Sequence, residues 1–326
     1  MNRRAFVTGL GAVLAAPLAT GAQQAGRVPR VGWLSGGFVA QTGSLQAFTD
    51  GLREGGFVVG QNVILDVLFP ERGTPAEYAD LAVRLIARSP SVILAANPHS
   101  LEAITKATTS IPIVGVDLES DPVAKGWAVS LARPGRNLTG FFLDVPEMSG
   151  KQLQMLQEIR PAITRVAVLG DPRINELQFH ATEIVAGRIG VTLHALSITE
   201  GKQIPGLVAE AARQKAGALV ALTSPVVNIN MKSLAEAALI HRLPTVSGFV
   251  PGFAEAGGLL AYGPDFPDLF RRAAGHVLEI LRGSRPGDLP VQRPTKFPLV
   301  INMKTAKALG LTIPPSLLLR ADQVIE

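Results

Sequence analysis

From Arg30 onwards, short runs that are apolar at every position alternate with amphipathic stretches whose apolar residues recur at helical spacing. A strand with no polar alternation must be buried on both faces. A parallel sheet covered by helices on both sides provides that burial. The strand-like runs in the first half are Arg30–Leu34, Val63–Phe69, Val92–Ala96 and Ile111–Val116. Between them, Ser44–Glu54 places Leu45, Phe48 and Leu52 on one helical face, and Pro75–Arg88 does so with Tyr78, Leu81, Leu85 and Ile86. Pro134–Gly135 reads as a turn before a further strand.

The pattern restarts after Asp144. A helix over Val145–Ile159 precedes the strand Arg165–Leu169, a helix through Phe179, Ile184 and Val185, and the strand Val191–Leu196. The helix Gln203–Lys215, the strand Ala218–Leu222, the helix Met231–Arg242 and the run Pro244–Phe249 complete the second series. The expected fold class is therefore α/β: two doubly wound parallel-sheet lobes with a ligand cleft between them. Pro/Gly-rich stretches near Asp144–Glu147, Tyr262–Pro267 and Leu289–Thr295 are where the chain would cross between lobes. On that division one lobe takes residues 28–144 plus about 265–290, and the other takes 145–264 plus about 295–326.

The residues before Arg30 have a different character. Arg3–Arg4 precede an uncharged, mostly apolar stretch from Ala5 to about Ala19, followed by small residues up to Ala22 and then Gln23–Gln24. That is the layout of an export signal, residues 1–22, with cleavage expected after Ala22. The arginine pair with Phe6 two residues on fits the twin-arginine type, although Asn2 is not the Ser or Thr usual before the pair. At roughly 15 residues, and with Gly9, Gly11 and Pro17 inside it, the stretch is too short to anchor in a bilayer. The chain has no cysteine, which removes lipid anchoring, disulfides, thiolate ligands and cysteine nucleophiles together. A soluble periplasmic protein is expected, and a monomer.

The function classes narrow by elimination. Apolar residues make up 47% of the chain and charged residues 17%, which excludes disorder. The formal charge of +5 loses two units with Arg3 and Arg4, and no basic run with interleaved aromatics occurs, so no nucleic-acid partner is expected. Gly32 to Gly37 does not fit the dinucleotide fingerprint, and neither a phosphate-binding loop nor a nucleophile elbow is present. His180, His194, His241 and His276 lack metal-ligand spacing, so no metal and no cofactor are expected. Asp117, Glu119 and Asp121 form an acidic loop. Asp121–Pro122 and Asp171–Pro172 each read as a capping acid before a first-turn proline. Asp117 or Glu119 is the candidate to hydrogen-bond a ligand.

Three segments carry a resemblance. They are Leu131–Gly140 (LARPGRNLTG), Ala256–Asp265 (AGGLLAYGPD) and Lys296–Ser316, whose KFPLVINMKTAKALGLTIPPS is the most specific. The chain resembles the ABC-transporter substrate-binding protein family related to the tryptophan/tyrosine uptake proteins. That resemblance implies a type I periplasmic-binding-protein fold, three interlobe crossings, and an ABC permease with its ATPase as partners. Ser224–Pro225 stands where aromatic amino-acid binders of the family resemble one another in an Asp-Asn pair. Val250–Pro251 stands where they carry an acid. A desolvated ammonium needs such a carboxylate. The departures therefore point away from an amino acid and towards a carboxylate-bearing or neutral compound with an aromatic or aliphatic body. An exported sensor without transport and a two-domain α/β enzyme are the other classes that share this plan. The enzyme would need a nucleophile–base pair or a cofactor loop.

In open α/β sheets, ligands bind outside the carboxyl ends of the strands. The expected contacts are Ser35, Gly36, Asn97, His99, Ser100, Asp117 and Glu119 from one lobe, and Asp171, Ser224 and Phe249 from the other. Cell fractionation tests the export reading. Mature protein starting near Gln23 is expected in the soluble periplasmic fraction, and Lys at both Arg3 and Arg4 should abolish export. Full-length protein in the membrane fraction would contradict the assignment.

Overall fold

The computed structural model describes residues 28–36, 43–71, 73–117, 119–142, 145–172 and 174–326. The export segment, and Asp144 at the first expected crossing, lie outside these residues. The first lobe is built from β1 (Arg30–Ser35), α1 (Ser44–Glu54), β2 (Ile64–Leu68), α2 (Pro75–Ala87), β3 (Val92–Ala96), α3 (Pro98–Ala107), β4 (Ile113–Asp117) and β5 (Leu138–Phe142). Its five strands are parallel, in the order β2-β1-β3-β4-β5. Every residue of β3, β4 and β5 is buried, as unbroken apolar runs require.

The second lobe contains α4 (Val145–Ile159), β6 (Arg165–Gly170), α5 (Glu176–Arg188), β7 (Thr192–Ser197), α6 (Ile204–Arg213), β8 (Ala218–Ala221), α7 (Pro225–Ile229), α8 (Met231–Ile240), β9 (Thr245–Ser247), α9 (Gly252–Glu255) and β10 (Leu260–Tyr262). After α10 (Phe266–Leu281) come β11 (Leu299–Asn302), α11 (Met303–Ala308), α12 (Pro315–Leu318) and β12 (Gln323–Ile325). The strand order is β12-β11-β10-β9-β8-β6-β7. One pair departs from the all-parallel expectation: β11 runs antiparallel to β10, with Tyr262 opposite Leu299. The chain re-enters this sheet beside the carboxyl end of β10, so β11 has to run away from the cleft edge.

Several helices begin with one device, a capping side chain followed by proline in the first turn. Thr74 caps α2, Asn97 caps α3, Ser224 caps α7 and Asp265 caps α10, each accepting from a backbone N–H three residues on. The α3 cap follows directly on the end of β3 and the α7 cap stands three residues beyond the end of β8, which places helix N-termini at the carboxyl edge of each sheet.

Helix α10 packs on α1 and on strands β3, β4 and β5 of the first lobe. The approach to α1 is close. A Cβ at Gly51 would lie 2.8 Å from the Ala274 methyl, and one at Gly55 would lie 2.2 Å from Leu278 Cδ1. The segment that follows runs along the free edge of β5. Gln292 N–H donates to Gly140 O (2.8 Å), and Phe142 N–H donates to Gln292 O (3.0 Å). The connections on either side of α10 are tied together where Asp265 N–H donates to Lys296 O (3.1 Å) and Lys296 Nζ pairs with Asp268 (2.5 Å). One continuous buried apolar cluster includes Trp33, Phe48 and Phe141 of the first lobe, Leu169, Val208 and Leu219 of the second, and Phe249 and Phe266.

His276 of α10 is 7% exposed, with its ring 5.0 Å from that of Phe141. Its Nδ1 is buried without a partner. Burial, and then the nearby Arg272 guanidinium, push its pKa down to about 4 from 6.5, while Glu279 acts weakly the other way. In the unfolded chain the ring takes a proton near pH 6.5, and in the folded chain only near pH 4. Stability should therefore fall as pH drops through this window, by up to about 3 kcal/mol. This contribution vanishes above pH 6.5. His276→Leu is expected to flatten this limb of a melting temperature against pH curve, and an unchanged acid limb would contradict it.

Candidate functional site

The carboxyl ends of the two sheets face one another, and side chains from both meet in an inner cavity. Asn97 and Glu119 enter from the first lobe, Ser224, Asn228 and Phe249 from the second, and Phe266 and Phe270 from α10. Ala96, Val116 and Pro225 complete its apolar wall. Its volume is about 20 Å³, close to the room of a single water. Pro225 also borders a wider cavity of about 400 Å³, where Gly36, Glu71, Tyr78 and His99 face Asp171, Glu200 and Asn230.

On the first lobe the start of α3 fixes the geometry. Asn97 holds φ at 103°, a backbone position that strains most side chains. Its Oδ1 accepts from Ser100 N–H (2.9 Å), and its Nδ2 donates to the Tyr78 hydroxyl (3.1 Å). Burial pushes the Tyr78 pKa up to about 12, so the hydroxyl keeps its proton and can donate onward. The Tyr78 ring lies 5.6 Å from the ring of His99. On β4, Asp117 Oδ1 accepts from Glu119 N–H (2.9 Å), which fixes the loop that brings Glu119 to the cavity.

On the second lobe, Thr223, two residues beyond the end of β8, is held from α5 and its cap. Gln178 Nε2 donates to Thr223 Oγ1 (2.6 Å), and Gln178 Oε1 accepts from Thr223 N–H (3.1 Å). Asn175 Nδ2 donates to Thr223 O (2.6 Å). The next residue, Ser224, accepts from Val227 N–H (3.3 Å) through Oγ and starts α7. Asn228 lies one turn further on, its N–H donating to Ser224 O (2.9 Å). Its Nδ2 is buried and has no partner. Phe249 stacks on Phe266, with ring centroids 5.9 Å apart and planes 16° apart. Trp33 lies behind this wall, stacked on Phe270 at 5.1 Å.

The ten residues singled out by strand-end position thus fall into three groups. Asn97, Glu119, Ser224 and Phe249 line the inner cavity. Gly36, His99 and Asp171 line the outer one. Ser35, Ser100 and Asp117 are buried and line neither. The Ser100 hydroxyl donates to Asn97 O (2.9 Å) and serves the helix start. Ser35 Oγ and Asp117 Oδ2 are buried without partners, as is Ser247 Oγ at the end of β9.

Two capping expectations need correction. Helix α5 starts at Glu176 with Asn175 in the N-cap position, so Asp171 is not its cap. Asp171 instead supplies the N–H that donates to Asn175 Oδ1 (2.7 Å). Asp121 does accept from Val123 and Ala124 N–H, but the segment it caps is a turn and not an α-helix. Asn228, Tyr78 and Phe266 border the cleft without having been singled out. Asn228 was within reach of sequence reasoning, because the Ser224–Pro225 start puts residue 228 one helical turn beyond the cap. Among the described residues no three His, Asp or Glu side chains gather as a metal site, and no helix is long and apolar enough to cross a membrane.

Two α/β lobes with a polar and aromatic cleft between them define a binding protein of the type I periplasmic-binding-protein fold. Residues 40–325 match the family of ABC transporter substrate binding proteins, and the chain belongs to that family. It is 24% identical over 279 residues to a tyrosine-binding protein of Clostridioides difficile (strain R20291), covering 82% of this chain and 76% of that one. A conserved domain protein from Vibrio cholerae O1 biovar eltor superposes with a TM-score of 0.84 at 25% identity, over 91% of this chain and 100% of that one. The ABC domain in complex with L-Trp from Streptococcus pneumoniae gives 0.81 at 21% identity, over 92% and 100%.

The Thr223 anchor generates a prediction. Gln178→Leu leaves the buried Thr223 hydroxyl and N–H without their Gln178 partners, which should cost about 1–3 kcal/mol. The melting temperature should drop by several degrees. Wild-type stability would show that the Asn175 contact alone holds the turn.

Proposed function

We propose that this protein is the periplasmic solute-binding component of an ABC uptake transporter. It captures a small organic ligand between its lobes and delivers it to the permease, which its ATPase partner drives. The observation that carries this reading is the inner cavity. Side chains from both sheets' carboxyl edges converge there, with an aromatic wall and a buried amide donor that has no partner among the described residues. A ligand with a polar or carboxylate head and an apolar body, in the range of amino acids and aromatic carboxylates, fits that lining. The protein acts as a soluble monomer, and its chemistry is binding without turnover.

The inner cavity holds about one water as described, so a ligand enters by parting of the lobes and is enclosed when they return. The connections flanking α10 would carry that rotation. Small-angle scattering should show a smaller radius of gyration once the cleft is saturated.

Thermal-shift screening against amino acids and aromatic carboxylates is expected to find a ligand, and calorimetry then tests the site. Phe249→Ala removes a wall of the cavity and should weaken binding by about 2 kcal/mol, roughly thirtyfold. The ligand should be recovered unchanged. Wild-type affinity in Phe249→Ala would place the site elsewhere, and turnover of the ligand would overturn the transport reading.

A further inference from the structure

We propose that Asn228 is the second lobe's specificity-determining residue, donating from Nδ2 to an acceptor oxygen of the ligand. This rests on the cleft reading above and names the ligand chemistry the cleft selects: a carbonyl or carboxylate oxygen attached to an aryl or arylalkyl body. Asn228 is 3% exposed and lines the inner cavity. Its backbone N–H is used by the turn of α7, so the amide is not needed to hold the helix start. Ser224 Oγ already caps that helix. The Nδ2 group can only donate, and it has no acceptor. The cavity also holds the acceptor oxygens of Asn97, Glu119 and Ser224, but among the described residues none of them takes the Asn228 Nδ2 hydrogens, and the rest of the wall, Phe249, Phe266 and Phe270, offers only ring faces.

A buried donor without a partner destabilises the empty protein, and such groups in native structures call for an explanation. A single water would fit the cavity, but a leucine would fill the space without needing one. An acceptor oxygen delivered by the ligand accounts for retaining the amide. It also sets the ligand's orientation, with the oxygen towards α7 and the apolar body against α10.

The test uses the full mature chain and three probes with one apolar body: 2-phenylacetamide, phenylacetate and 2-phenylethylamine. Only the first two carry an acceptor oxygen. Wild-type protein should bind at least one of those two tenfold or more tighter than the amine, read by calorimetry and by Trp33 fluorescence. Asn228→Leu should lose tenfold or more for the oxygen-bearing probes, with the amine unchanged. Asn228→Asp, which presents acceptors alone when ionised, should reverse the preference towards the amine. Without ligand, Asn228→Leu should melt at or above the wild-type temperature.

Several outcomes would overturn the proposal. If Asn228→Leu melts several degrees lower, the amide is structural. Undiminished binding of the oxygen-bearing probes in that variant removes the residue from recognition. Failure of both oxygen-bearing probes to bind wild type removes the proposed ligand class. If another compound from the screen binds and is lost in Phe249→Ala, the cleft reading stands and only the Asn228 assignment falls.

Discussion

The packing of α10 against α1 is the contact on which the two-lobed arrangement depends. Helix α10 is reached only after the chain has built β6 to β10 of the second lobe, yet its apolar face completes the first lobe's core against β3, β4 and β5. Gly51 and Gly55 allow the close approach, since side chains there would collide with Ala274 and Leu278. The first lobe is therefore not finished by its own consecutive sequence. The first turn of α10 carries Phe266 and its second carries Phe270, both into the cleft. One helix thus closes a core with its body and forms the site with its N-terminal end.

The same economy governs the polar groups. Parallel strands deliver all their carboxyl ends to one edge, and helix starts capped by Asn97 and Ser224 sit there. Local hydrogen bonds satisfy most of these groups. Ser100, Thr223 and one oxygen of Asp117 all find partners within the protein. Ser35, Asp117 Oδ2, Ser247 and Asn228 each keep a buried atom unsatisfied, three at strand ends and Asn228 just beyond one. Folding alone would favour apolar replacements at such positions. Of these four, only Asn228 lines the inner cavity; Ser35, Asp117 and Ser247 lie at the strand ends behind it.

Much of this was legible in the sequence because burial on both strand faces leaves a strong pattern. The runs at Val92–Ala96 and Ala218–Ala221 are apolar throughout, and both became central strands. Strand-end position alone brought Asn97, Glu119, Ser224 and Phe249 to one cavity. What it could not separate was a side chain facing the cleft from one spent on a cap, because both uses favour short polar residues at the same place. Ser100 and Asn97 are three residues apart and both polar, and the hydrogen bonds alone sort them. Phe266 was hidden for another reason: its stretch reads as a linker by composition, yet it is the first turn of the helix that joins the lobes. The antiparallel strand β11 was hidden because direction follows from where the chain re-enters a sheet, and no residue encodes that locally.

The aromatic residues link the site to both lobes at once. Trp33 of β1 stacks on Phe270, which lines the cavity, and Phe266 stacks on Phe249 from the far side of the cleft. The Phe249–Phe266 stack lies within a buried apolar cluster that runs from one lobe into the other. On the proposed parting of the lobes, that stack would loosen and its faces would meet water, at a hydrophobic cost proportional to the exposed area. A ligand ring set against Phe249 and Phe266 would bury those faces again. Such a ligand would bind most strongly when the lobes are together. Differential affinity of this kind is what shifts a two-state equilibrium. Enclosure and recognition then draw on one set of contacts, and a body too small to touch both lobes would gain no advantage from closure.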